Sequence, residues 1–198
     1  MGELVEKLIE ELSHENMKSL VREVAEKVDL EETLCMPSSS SGKYHSGLTN
    51  GENGLFNHTM IGVLAAKRMA RAYALDNHDA EVLTAAMILH DMLKYRLWNT
   101  ETRSLCEFEE HTLKDHADDA SRFLQDVVAH DYKTVRDSTY ILIMARIVGE
   151  HMGRWSKGAD DWYGWDESRL SRIAHLADMV ASDNALIDFI ADLGAKRG

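Results

Sequence analysis

The feature that most constrains this chain is the apolar run Val82-Leu83-Thr84-Ala85-Ala86-Met87-Ile88-Leu89, which ends in His90-Asp91 and continues as Met92-Leu93-Lys94. An apolar helix that ends in two polar side chains points them into the interior. There an imidazole and a carboxylate offer one nitrogen and one oxygen ligand from a single turn of backbone. Burying a lone carboxylate is costly, so the pair needs a partner. A divalent metal is a natural one. The competing reading is a helix C-terminus with a solvated pair, its histidine supported by the helix dipole. The rest of the chain has to decide between them.

The 198 residues fit one domain spanning 1–198, and a chain of that size buries roughly 70% of its unfolded surface on folding. One proline and twelve glycines in a leucine- and alanine-rich chain indicate mostly helix. No apolar stretch is long enough to span a bilayer, so no membrane role is expected. The first residues, Met1-Gly2-Glu3-Leu4-Val5-Glu6, are acidic and amphipathic, unlike a secretory signal. Cys35 and Cys106 have neither the CxxC spacing of a zinc knuckle nor the density of a disulfide framework. A reducing, cytoplasmic location is the default. The formal charge of −12 argues against tight nucleic-acid binding, which draws on Lys and Arg releasing counterions. It permits a small anionic substrate held at a local cationic centre, which a metal would supply.

Residues 3–34 read as one or two amphipathic helices, with Leu4, Leu8 and Leu12, then Met17, Leu20, Val21 and Val24, recurring at three and four. These helices are expected to pack on the bundle. Residues 37–54 read as a loop rich in serine, glycine and asparagine. Five further helices are expected, roughly over 56–74, 79–93, 113–129, 137–152 and 167–192. Strand signals are nearly absent; the β-prone stretch Thr139–Ile143 sits within a helical period. The pattern is an all-α helical bundle.

Each later helix carries a polar residue on its apolar face. His58 aligns with Gly62, Ala65 and Met69. His116 aligns with Ala120, Phe123, Leu124 and Val127. His151 aligns with Ile141, Met144 and Val148, and Asp178 with Leu170, Ala174, Ala181 and Ala185. Taken singly, such a histidine is more often a hydrogen-bonded core residue, and such an aspartate a partner of Arg, Lys or a cap. Together with His90-Asp91 they form a set that one metal centre in the bundle core explains: His58, His90, Asp91, His116, His151 and Asp178.

A histidine, then His-Asp, then a distant aspartate, all on helices, resembles the HD superfamily of metal-dependent phosphohydrolases. The two extra histidines resemble its members with two metals. Leu12-Ser13-His14-Glu15-Asn16, Lys43-Tyr44-His45 and Gly54-Leu55-Phe56-Asn57-His58-Thr59 are similar to the HD domain of bacterial 3′–5′ exoribonucleases that join an OB fold to an HD domain. Leu89-His90-Asp91-Met92-Leu93-Lys94 is similar to their Leu-His-Asp-Ile-Gly-Lys. Three features depart from that pattern. No OB fold is expected within these residues ahead of the domain, the 46–53 loop carries extra residues, and the family's His-His-Gly reads His151-Met152-Gly153.

The resemblance implies a single HD-type domain whose His58, His90, Asp91 and Asp178 hold one metal. Asp91, His116 and His151 would hold a second, with Asp91 bridging and the count of ions open between one and two. Mixed nitrogen and oxygen ligands suit Mn²⁺, Fe²⁺, Co²⁺, Ni²⁺ or Zn²⁺. Asp91 and Lys94 would be catalytic, the lysine neutralising phosphate charge. His45 would touch phosphate or a leaving group. The segment after His151 carries Arg154, Trp155 and Lys157, which could meet phosphate and stack on a base; a loop pinned by its tryptophans is the other reading. The function implied is hydrolysis of phosphate esters, a nucleotide or short oligonucleotide, by metal-activated water. Alternatives are a mixed-valence di-iron oxygenase, a stand-alone 3′–5′ exonuclease and a non-catalytic nucleotide sensor. An oligomer is compatible with all of them.

Overall fold

The computed structural model describes residues 2–39, 48–107, 116–131, 135–153, 169–183 and 186. Eight helices appear among them: α1 Glu3–Ile9, α2 Glu15–Lys27, α3 Leu30–Leu34, α4 Gly54–Ala72, α5 Asn77–Leu89, α6 His116–His130, α7 Val135–Glu150 and α8 Arg169–Ser182. The fold is all-α, apart from one small antiparallel hairpin, β1 Arg96–Asn99 and β2 Ser104–Glu107.

The N-terminal stretch forms three helices. Its breaks have identifiable partners. The Glu81 carboxylate of α5 accepts the backbone N–H groups of Ser13 and His14 at 2.7 and 2.8 Å. It thereby satisfies donors that the start of α2 leaves open. Asp29, at φ 48°, separates α2 from α3. Val5, Leu8 and Ile9 of α1 and Met17, Leu20, Val21 and Val24 of α2 are buried, so both helices lay an apolar face on the bundle.

Helix α5 is the centre of the fold. Every residue from Val82 to Leu93 is buried, so this helix is covered on all sides. It touches α1, α2, α4, α7 and α8. Around it, α4 pairs with α8 and α6 with α7. Helix α4 begins two residues before the expected position, at Gly54. A Cβ there would stand 2.2 Å from the Thr49 carbonyl oxygen. Only glycine lets the 48–53 loop sit on the helix start, and that seat fixes His58 one turn in.

The hairpin is absent from the sequence-based expectation. Its strands have four residues each, too short to show an alternating pattern. Tertiary contacts hold it instead. The Trp98 ring meets Phe123 of α6 edge-on at 4.7 Å, and its indole N–H donates to Asp126. Arg103 bridges Asp126 and Asp131. Helix α8 ends at Ser182, earlier than the expected 192, and 187–198 lie outside the described residues. No described helix is long and apolar enough to cross a membrane.

Candidate metal centre

The turn that follows α5 delivers His90 and Asp91 to the middle of the bundle, where they are 1% and 3% exposed. His58 arrives from α4 and His116 from the first residue of α6. His151 lies in the turn just past α7, and Asp178 comes from α8. All four histidines are buried, and the Asp178 side chain is nearly so. Five elements thus bring all six of these residues to one place.

The contacts divide around Asp91. Its Oδ2 faces His58 Nε2 at 3.6 Å and His90 Nε2 at 3.5 Å. Its Oδ1 faces His116 Nε2 at 2.9 Å and His151 Nε2 at 3.8 Å. Asp178 Oδ1 completes the first side, 3.0 Å from His58 Nε2 and 3.8 Å from His90 Nε2. The donor atoms of His58, His90 and Asp178 lie within 4.8 Å of one another, as do those of His90, Asp91 and His151.

The second ring nitrogens show why this set suits a cation. His90 Nδ1–H donates to the Met87 carbonyl at 2.7 Å and His151 Nδ1–H to the Val148 carbonyl at 2.6 Å. His58 Nδ1 faces the Ala181 carbonyl at 3.4 Å. With the proton on Nδ1, the Nε2 lone pair is bare and aimed inward. His90 Nε2 and His58 Nε2 then stand 3.3 Å apart beside two carboxylates. Lone pairs and anionic oxygens gathered this closely repel one another. A positive ion among them reverses the sign of the interaction. The donor set of imidazole nitrogen and carboxylate oxygen therefore fits a divalent transition metal.

The electrostatics agree. Burial pushes the His151 imidazole down to about 3, with His90 adding to the shift, and burial also lowers His90. Both rings are held in the neutral form that binds metals. Burial opposes ionisation of Asp91, but the neighbouring groups, the Lys94 ammonium foremost, outweigh it and keep its carboxyl well below the usual range. Asp178 is likewise lowered against the effect of burial, chiefly through its close contact with His58 Nε2.

Lys94 reaches back over the same turn. Its Nζ lies 2.6 Å from Asp91 Oδ2, and its side chain is 11% exposed. His45, Arg154, Trp155 and Lys157 fall outside the described residues. Sequence reasoning missed one residue beside the cluster, His175 of α8, whose Nδ1–H donates to the His151 carbonyl at 2.8 Å. Its position three residues before Asp178 was the available signal.

Comparison with family models matches the HD domain over residues 55–183. That span covers about two thirds of the chain and includes all six residues of the cluster. No curated protein and no solved structure matches the chain. HD-domain proteins are largely metal-dependent hydrolases that bind divalent metals. On the extent of this match, the chain belongs to the HD-domain family.

Proposed function

We propose that the protein is a metal-dependent phosphohydrolase acting on a small phosphate ester, a nucleotide or short oligonucleotide. The observation that carries this reading is the division of the Asp91 carboxylate between two histidine pairs, with Asp178 closing one of them. In this reading His58, His90, Asp91 and Asp178 hold one ion, and Asp91, His116 and His151 a second, weaker one. A bound metal supplies hydroxide from a coordinated water near neutral pH and polarises a phosphoryl oxygen.

The chain's own groups do the rest. Asp91 offers one oxygen to each side. The Nδ1 hydrogen bonds of His90 and His151 fix the orientation of their rings, and burial keeps both neutral. Lys94 holds an ammonium at the rim of the cluster, where it offsets charge gathering on a phosphate oxygen. His45, Arg154, Trp155 and Lys157 are the substrate contacts of this proposal. The likeness of the motifs around His58 and His90 to those of the exoribonucleases supports a nucleotide-derived substrate.

The test is a panel of mononucleotides, dinucleotides, cyclic dinucleotides and short RNAs, each assayed with Mn²⁺, Fe²⁺, Co²⁺, Ni²⁺ and Zn²⁺. Phosphate release from at least one small member with one of these metals supports the reading. Inactivity across the panel in protein that binds metal contradicts it. A second reading, oxygenase chemistry at a mixed-valence di-iron centre, is favoured by one observation, the ligand count of four histidines and two aspartates. Anaerobic iron loading followed by electron paramagnetic resonance separates the two.

A further inference from the structure

His175 stands outside the proposed ligand set, yet it is tied to it. It lies on α8 just under one turn before Asp178, so the two side chains leave the helix on neighbouring positions of one face. Its Nδ1–H donates to the backbone carbonyl of His151 at 2.8 Å. Its ring also occupies the space beside Gly153, where a Cβ would stand 2.7–2.9 Å from three ring atoms. Gly153 is at φ +62°, a conformation that favours glycine in its own right. The 151–153 turn is thus held to α8 by a hydrogen bond and by a close approach that only glycine permits. His151 needs such a hold because it lies beyond the last residue of α7, Glu150. Its own Nδ1 bond to Val148 fixes the ring against the helix end but not the backbone that carries it.

We propose that His175 is a positioning residue for His151, setting its Nε2 against Asp91 Oδ1 and so setting the affinity of the second ion. The inference rests on the reading of His151 as a ligand. It makes α8 serve both sides of the centre: Asp178 reaches the first set directly, and His175 shapes the second through the His151 backbone. A plain structural role also exists, since a helix end leaves carbonyls in need of donors. A cap of that kind changes stability alone. A positioning residue changes the affinity of one ion and spares the other.

Cobalt(II) titration followed by absorption tells them apart, run on the full chain as wild type, His175→Leu and His175→Asn. Leucine fills the space without a donor. Asparagine places an N–H donor at about the reach of His Nδ1. The wild type should show two binding events, the weaker at the set with fewer ligands. His175→Leu should weaken the second event by about tenfold, in the range for outer-shell partners, and leave the first within about twofold. His175→Asn should recover most of the loss. Equal binding by His175→Leu and wild type overturns the inference, as does a His175→Asn variant that behaves like the leucine one. Should His175→Leu fail to fold, His175→Ala removes the ring and its donor without adding bulk and should give the same selective loss; unchanged binding there overturns the inference. Absence of a second event in the wild type overturns the two-set reading itself and this inference with it. That outcome is read before any variant is made.

Discussion

Asp91 is the residue on which the site turns, because its two oxygens face different histidine pairs. Asp91→Ala should abolish phosphate release, whereas Lys94→Ala should keep the metal and slow turnover by roughly 10²–10³, the scale of a lost oxyanion donor. Turnover of Asp91→Ala at the wild-type rate would remove the carboxylate from the mechanism. The buried imidazoles set a pH dependence in metal-free protein. His151 is lowered from 6.5 to about 3 and His90 is lowered too, so the folded state refuses protons that the unfolded chain accepts. Their contribution is therefore fully present above about pH 6.5 and is lost as pH falls towards the folded-state values. The slope is about 1.4 kcal/mol per pH unit for each imidazole. Asp91 and Asp178, also lowered, extend the loss through the usual carboxylate range, near about 3.9. Urea unfolding of metal-stripped protein at pH 7.5, 6 and 5 measures this. Stability that stays level or rises on acidification would contradict it.

At the scale of elements, the helices were legible because their apolar faces repeat over several turns. That periodicity locates helices α4 to α8, with ends shifted by up to four residues where loops and caps decide them, except that α8 ends at Ser182 rather than 192. The His58, His116 and Asp178 positions were visible as polar breaks in those faces. What stayed hidden depends on partners distant in sequence. The hairpin exists because Trp98 and Arg103 find α6, and four-residue strands carry no period of their own. Glu81 looks like a charge intruding on a helix, yet its role is to cap a helix start 67 and 68 residues away. His175 acts on a backbone carbonyl, which side-chain patterns do not report. The Glu81 cap makes a prediction. Glu81→Ala leaves two backbone donors without their acceptor and should cost about 1–3 kcal/mol, with phosphate release per folded molecule unchanged. Denaturant unfolding checks the first part; a loss under about 0.5 kcal/mol would mean water replaces the carboxylate freely.

At the scale of the molecule, charge decides what length of substrate suits the site. The chain carries −12, and Arg68 and Arg71 lie on α4 ten or more residues beyond His58, about 15–20 Å along the axis. These two arginines therefore lie well away from the cluster along α4. Hydrolysis of mononucleotides or dinucleotides should depend weakly on salt and exceed that of a long RNA at equal concentration of ends, since each missing contact removes nearly one unit of salt slope. Processive degradation with a steep salt dependence would instead point to a basic groove formed with Arg154 and Lys157 or a second subunit. Every role given to these residues depends first on a metal within the bundle. Elemental analysis of protein purified without a metal-affinity tag, before and after incubation with Mn²⁺, Fe²⁺, Co²⁺, Ni²⁺ or Zn²⁺, tests that most directly. The wild type should carry one to two transition-metal ions per chain, most of them lost in Asp91→Ala, while His116→Ala retains the ion of the His58 side. Wild-type protein that carries no transition metal and takes none up would contradict it.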